Sequence, residues 1–359
     1  AGVGAVVAFI PQITLLFLMI ALLEGSGYLS RAAFLMDRVM GMAGLEGRAF
    51  VALLSSVACA IPGIMATRTL PSAKDRIATM MGAPLMTCSA RLPVYTLLIA
   101  MVVPGDLFWG PFQVQGTIMF GLYLLGSVSA MIAAWVFKRV AGRSGTVMPF
   151  YMEMPAYQIP SARSVTVAVW DACKAFLRKV AGIIMVVTIV LWGLLNFPAP
   201  SEDAMTAAGV DVGDEAAVTA YTLDNSYAAA IGRAVSPVFD PLGFDWRINI
   251  GVLSSLAARE VVVATLGQVA SAEDPEDPSE ALEQMTYTDG PHAGEPVFTA
   301  PTVTALLLFF VYALQCASTL GVLRRETGTW RWPIIAFVYM GGLAWVMAFL
   351  GSGIARLIT

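Results

Sequence analysis

Histidine is nearly missing from this chain: one occurs in 359 residues, at His292. A transport or catalytic site built from several imidazoles is therefore excluded, and with it the serine–histidine and zinc-protease constellations. Charge is scarce as well. Asp, Glu, Lys and Arg make up 13% of the chain, against about 25% in soluble domains. The four cysteines, Cys59, Cys88, Cys173 and Cys316, are scattered and three lie in apolar surroundings. That does not read as a secreted disulfide framework. No G-x-x-x-x-G-K-[ST] stretch occurs. The glycine-rich pieces "GMAGLEGR" and "AGRSGT" lack the lysine and the strand context, so nucleotide chemistry is absent from these residues.

What the chain has instead is apolar sequence in long blocks, 58% of all residues. The blocks at 3–23, 48–67, 83–103, 113–137, 180–197, 248–269, 301–322 and 333–355 are each long enough to enter a bilayer. The expected class is all-α, a polytopic membrane helical bundle. Two shorter stretches, 26–44 and 165–179, mix charges with apolar residues at helical spacing and suit helices at the membrane interface. The loops 198–225 and 271–298 are polar and acidic. The chain opens inside a hydrophobic segment without Met, a basic n-region or a cleavage site, which reads as a piece whose upstream part is not supplied.

Loop charge tests the topology. Arg68, Lys74 and Arg76 lie in loop 68–82, seven basic residues lie between 138 and 179, and Arg324, Arg325 and Arg331 lie in loop 323–332. Loops 104–112, 198–225 and 271–298 have no Lys or Arg. The positive-inside rule puts the first three inside and the last three outside. Eight full spans contradict these charges. The conflict disappears if 48–67 and 248–269 are broken, re-entrant elements. The alternative is that Pro62 only kinks a spanning helix.

An internal repeat favours the re-entrant version. "GLEGRAFVALLSSVACAI" (44–61) aligns without gaps over "GFDWRINIGVLSSLAARE" (243–260), sharing Gly44/Gly243, Arg48/Arg247, Leu54/Leu253, Ser55/Ser254, Ser56/Ser255 and Ala58/Ala257. Upstream, Tyr28 matches Tyr227. With the loop charges this predicts two inverted repeats, with the transport site on discontinuous helices. The copies differ where a ligand belongs: Cys59, Ala60 and Ile61 face Ala258, Arg259 and Glu260. A charged residue within a membrane element marks function or an internal ion pair. The break in the first element is expected at Pro62–Gly63. Candidate ligands on the path are Cys59, Glu260, Cys88, Cys316, Ser55, Ser56, Ser255 and Met65; Pro62, Gly63, Arg259 and Glu24 are candidate gating or structural residues. The bland alternatives are an Arg259–Glu260 pair that holds the bundle, a small buried Cys59, methionines as core filler, and Glu24 at the interface. Cys173 is expected to be incidental. Sulfur ligands suit borderline or soft metals.

"LLEGSGYLSRAAFLMDRVM" (22–40), "CAIPGIMATRTL" (59–70), "APLMTCSARLPVY" (83–95), "PVFDPLGFDWRINIGVLSSLAAREVVVATLG" (237–267) and "VYALQCASTLGVLRRETGTWRW" (311–332) resemble, in order, the membrane domain of the ferrous iron transport protein B family. The resemblance implies two "Gate" repeats, here 1–145 and 180–359, joined by a cytoplasmic linker and amphipathic helix at 146–179. It implies Fe(II) as cargo in a bacterial or archaeal cytoplasmic membrane. It also implies an N-terminal GTP-binding domain, outside this chain, through which GTP and Mg would act. Partners in that picture are lipid, the GTPase domain, small accessory Feo proteins and further copies of the chain, with no nucleic acid. The family's cysteine motifs map onto Cys59, Cys88 and Cys316. Two departures stand out: Arg259 where the family usually has Lys, and Gln315 where it usually has Pro. The rival readings are a transporter of a nucleoside or other organic solute on the same fold, and a non-transporting membrane scaffold.

Overall fold

The computed structural model describes residues 2–105, 107–109, 112–140, 157–198, 205–206, 215–256, 259, 261–270, 279–287 and 294–358. Its helices are α1 (Gly2–Gly25), α2 (Tyr28–Met42), α3 (Arg48–Ala58), α4 (Ala60–Ala66), α5 (Ala73–Gly82), α6 (Leu92–Val102), α7 (Val114–Val140) and α8 (Ala162–Asn196). They continue as α9 (Glu215–Asp224), α10 (Tyr227–Phe239), α11 (Trp246–Ser254), α12 (Val261–Val269), α13 (Ser279–Glu283), α14 (Ala300–Tyr312), α15 (Ala317–Thr327) and α16 (Arg331–Ile358). A two-stranded hairpin, β1 (Phe108–Trp109) with β2 (Phe112–Gln113), is the one sheet among the described residues.

Four stretches are long and apolar enough to cross a membrane: Ala73–Val102, Val114–Val140, Ala300–Thr327 and Arg331–Leu357. The chain is thus a multi-pass membrane protein. A fifth candidate is bent by 84° between Phe17–Gly25 and Tyr28–Met42. The corner is Gly27, whose φ of 78° is a left-handed conformation that glycine adopts without Cβ strain. The stretch at 165–179 does not form a separate amphipathic helix. It is continuous with the apolar block after it in α8, whose 35 residues extend ~50 Å at ~1.5 Å per residue.

Neither 48–67 nor 248–269 is one helix. Gly63, in α4, lies so close to α3 that a Cβ there would stand 2.6 Å from Ala52 O and 2.9 Å from Ser56 Cβ. In a continuous helix residues 52 and 63 would be ~16 Å apart. The second element does the same: a Cβ on Gly251 in α11 would meet Val262 Cγ2 at 3.2 Å and Leu266 Cδ2 at 3.1 Å in α12. Both are short helical hairpins, and a kinked span through Pro62 is excluded. The turn of the first is at Cys59, whose φ of −156° and ψ of 134° are extended, so the Pro62–Gly63 placement is corrected. Pro62 sits in the first turn of α4, where its missing N–H would have had no helical partner. Gly63 serves the close contact between the arms.

The sequence repeat is also a structural one. α2 and α10 begin at the matched Tyr28 and Tyr227. Each hairpin is preceded by a left-handed glycine, Gly44 (φ 72°) and Gly243 (φ 77°). The contact of Gly47 with Ala33 O recurs as Gly232 with Trp246 O, and that of Gly63 with Ala52 recurs as Gly251 with Val262. In both pairs the glycine has moved to the opposite partner.

The chain folds into two compact units that interleave along the sequence. One comprises 1–89, 122–185 and 318–339, and the other 90–121, 186–317 and 340–359. At one end of the first, Lys138 Nζ binds both Gly44 O and Asp75, the latter at 2.8 Å. Arg68 grips Glu326 with two nitrogens, Nε to Oε2 at 2.8 Å and Nη2 to Oε1. The described parts of the three basic loops therefore meet there. In the second unit Tyr287 OH donates to Gly243 O (2.7 Å), Arg247 to Thr286 O (3.5 Å) and Arg356 to Pro241 O (3.5 Å). These contacts gather loops 240–247 and 284–287 at one end of that unit.

Candidate functional site

Each hairpin tip meets a second interruption in the chain. In the first unit, α5 gives way to a 3-10 turn, Ala83–Leu85, and then to Met86, whose φ of −57° and ψ of 130° leave the helical region. Cys88 follows, and Ser89 Oγ donates to Ala58 O at 3.3 Å. That bond joins the segment of Cys88 to the residue before Cys59. The Cys59 side chain is half-buried and Cys88 is buried. In the second unit, α14 ends at Tyr312, Ala313 is extended, and α15 starts at Ala317. Ala317 N–H donates to Leu256 O at the hairpin tip (2.8 Å). Arg259 Nε donates to Gln315 O (3.3 Å) and Arg91 Nη2 to Ala313 O (3.5 Å). Arg91 is fully buried, Arg259 is buried, and Cys316, next to Gln315, is half-buried.

The two interruptions correspond. "TCSARLPV" (87–94) lies over "QCASTLGV" (315–322), matching Cys88 with Cys316, Leu92 with Leu320 and Val94 with Val322. Two of the five points at which the chain passes between the compact units fall here, between Ser89 and Ala90 and between Ala317 and Ser318. Both crossings fall after the residue that follows the cysteine. This second repeat is short and its offset differs from that of the hairpins, so aligning at a single shift does not find it. The contact of Arg91 with the far interruption has no local sequence signal.

The remaining candidates separate by their partners. Ser55 and Ser56 donate to Val51 O and Ala52 O, both at 2.8 Å. Ser254 and Ser255 donate to Gly251 O (2.7 Å) and Val252 O (2.5 Å). Their hydroxyl protons are spent on their own helices, as is common for Ser in apolar helices. Met65 and Glu24 are exposed. Cys173 Sγ lies 3.5 Å from Thr14 Oγ1 in the first unit. Glu260 and His292 lie outside the described residues. Among the described residues no group of three or more His, Cys, Asp or Glu side chains is arranged to hold a metal ion.

The freed backbone carbonyls at the interruptions are largely engaged: Ala58 O by Ser89, Ala313 O by Arg91 and Gln315 O by Arg259. What stays without a partner is the Gln315 side chain, 1% exposed, with neither Oε1 nor Nε2 hydrogen-bonded. Thr87 Oγ1, the matching position, is also unpartnered. It packs against Gly126 of α7, where an added Cβ would clash with it.

The family model described as Gate, nucleoside recognition, matches residues 6–102 and 177–330. The model described as ferrous iron transport protein B C terminus matches 119–171. An Fe(2+) transporter FeoB of Leptospira biflexa is 41% identical over 99% of the chain and 50% of its own length. One from Methanocaldococcus jannaschii is 35% identical over the whole chain and 49% of its own length. A Porphyromonas gingivalis protein named as a fusion of Fe(2+) transport protein A with Fe(2+) transporter FeoB is 37% identical over 97% of the chain and 42% of its own length. The chain spans about half the length of these curated relatives. No solved structure matches it.

Proposed function

The chain belongs to the Gate family, as the membrane domain of the ferrous iron transport protein B line, and from that premise we propose that it is the permease part of an Fe(II) uptake protein. The observation that carries the proposal is the pairing of each hairpin tip with a cysteine-bearing interruption. Helices unwound at membrane depth are tolerated where they line a cavity or are buried in protein, and in transporters such elements form the substrate site. Fe(II) accepts thiolate, carboxylate and neutral oxygen. Cys59 and Cys88 in the first unit, and Cys316 with Glu260 in the second, are the proposed ligands; Ser55, Ser56 and Ser255 supply oxygen lone pairs. Arg259 and Arg91 act as positioning residues that hold the second interruption open. Loop charge supports opposite entry sides for the two hairpins, an inverted arrangement.

The membrane is the cytoplasmic one of a prokaryote. In the full-length protein an N-terminal GTPase domain would supply GTP and Mg chemistry, and the fusion in the Porphyromonas relative supports a small Feo accessory partner. Transport by this part involves no catalysis of its own.

The experiment is Fe(II) uptake into liposomes by the full-length protein across a pH series. A thiol ligand releases its proton when the cation binds. Cys59→Ala should therefore lower uptake and flatten its rise with pH, while Cys173→Ala stays near wild type. Uptake by Cys59→Ala equal to wild type at every pH removes Cys59 from the path. A second reading, transport of a nucleoside-like solute, has one observation in its favour, the buried carboxamide of Gln315. Competition by nucleosides but not by Mn(II) or Zn(II) would establish it instead.

A further inference from the structure

We propose that Gln315 is itself a cargo ligand: its carboxamide oxygen, beside the Cys316 thiol, coordinates the partly dehydrated divalent cation at the second interruption. The proposal rests on the cation reading above and adds a residue that sets metal preference.

The segment around Gln315 is fixed at three points: Ala313 O by Arg91, Gln315 O by Arg259, and Ala317 N by Leu256 O. The side chain therefore projects from a defined backbone. It is 1% exposed and both its polar atoms lack protein partners. A buried polar atom left without a partner keeps its desolvation penalty, which Leu at this position would not incur. The serines of both hairpin tips avoid it by bonding to their own helices, and Thr87 Oγ1 packs against Gly126. Thr87 and Gln315 both combine burial, unmet polarity and attachment next to a cysteine, and of the two Gln315 is the one with two orphaned atoms, a carboxamide oxygen and nitrogen. An amide oxygen is a hard, neutral donor with two lone pairs, and a cysteine sulfur is a soft one. Together they suit a borderline cation better than either does alone. The Arg259 guanidinium, held on the same residue's carbonyl, opposes long residence of a cation, as a site that must release its cargo requires.

The test uses full-length wild type, Gln315→Leu, Gln315→Glu and Gln315→Asn in liposomes. It reads uptake of Fe(II), Mn(II) and Zn(II), together with alkylation of Cys316 by N-ethylmaleimide, followed by mass spectrometry with and without each metal. Removing the oxygen leaves the softer donor. Gln315→Leu should lose Mn(II) and Fe(II) uptake by ~10-fold and Zn(II) by less than ~3-fold, taking about 1.4 kcal/mol per tenfold. Gln315→Glu should recover Mn(II). Gln315→Asn, which keeps the amide but draws it back, should fall between and gives the reading if the leucine variant does not fold. Metal protection of Cys316 should weaken in the same order. Unchanged metal ratios and unchanged protection in the leucine and asparagine variants overturn the proposal. So does protection of Cys316 by uridine or adenosine but by none of the metals. If wild type carries no Fe(II), yet Mn(II) or Zn(II) protects Cys316 only when Gln315 is present, the iron reading fails and the ligand role of Gln315 stands.

Discussion

Gly63→Ala is the substitution that most directly separates a hairpin from a kinked span. In the hairpin, the new Cβ would lie 2.6 Å from Ala52 O and 2.9 Å from Ser56 Cβ, and would fall on Ser56 Oγ. The hydroxyl can rotate, but doing so gives up its bond to Ala52 O, worth ~1 kcal/mol. The backbone carbonyl cannot move without α3. Overpacking of this kind costs ~1–3 kcal/mol, and the better helix propensity of Ala returns at most ~1 kcal/mol. The net expectation is a loss of ~1–3 kcal/mol. Gly251→Ala, at the matching contact, meets only the ends of Leu266 and Val262 side chains at 3.1–3.2 Å, so the propensity gain offsets most of its cost. Gly341→Ala in α16 meets nothing within 4 Å and should be neutral or slightly stabilising.

Thermal unfolding of the three purified variants in one detergent, followed by tryptophan fluorescence, reads the order directly. Gly63→Ala should melt several degrees below wild type, Gly251→Ala close to it and Gly341→Ala at or above it. If Gly63→Ala melts with Gly341→Ala, the two arms of the first hairpin are not in contact and the description of 48–66 as a hairpin is wrong.

Lys138→Met should destabilise by about 1–3 kcal/mol, below the ~3–5 kcal/mol of a fully buried pair, because it strands the buried Asp75 carboxylate; a melt as high as wild type would show that Asp75 is solvated. Arg68→Ala should cost ~1–3 kcal/mol, because the guanidinium is half-exposed but the Glu326 carboxylate it grips is buried and loses a charge-assisted partner; a melt as high as wild type would show that Glu326 is solvated. Burial, with Asp75 nearby, raises the Glu46 pKa above 4.5. The folded state then holds that proton more tightly than the unfolded one, so this group's contribution is present at acid pH and lost as pH rises through that range. Glu46→Gln should therefore be the more stable protein at neutral pH, and its advantage should vanish toward pH 4; an advantage independent of pH would show that the charge is not the cause.

The hairpins were legible in the sequence because two independent signals converged on them: loop charges that an all-spanning chain cannot satisfy, and a gapless repeat from Gly44 to Ile61. The class followed from the apolar blocks for the same reason. What misled was local grammar. Pro-Gly reads as a break, yet Pro62 starts a helix and Gly63 packs it, while the turn itself falls on Cys59, which carries no turn signal. α8 was split at Lys179 because its charges end there, although nothing in helix geometry requires the chain to bend where polarity changes. The contacts of Arg91 and Arg259 with Ala313 and Gln315 were out of reach, because residues 222 and 56 positions apart leave no mark in a window of sequence.

The exchanged glycines explain how so much identity can be lost while the hairpin survives. A close helix crossing needs one small residue at the contact, and either partner can provide it. The first repeat places it on the later residue of each pair, at Gly47 and Gly63. The second places it on the earlier one, at Gly232 and Gly251. Position-by-position comparison scores both as mismatches, Ala33 with Gly232 and Gly63 with Val262, although the contact is kept. The divergent tips follow the same logic in reverse. The arms are held by small-residue contacts about one helical turn from the tip, so this packing does not require the tip residues to match; in sequence one copy has Cys59, Ala60 and Ile61 where the other has Ala258, Arg259 and Glu260. A scaffold fixed by glycines in its arms is a physical basis for two copies of one hairpin to carry different residues at their tips.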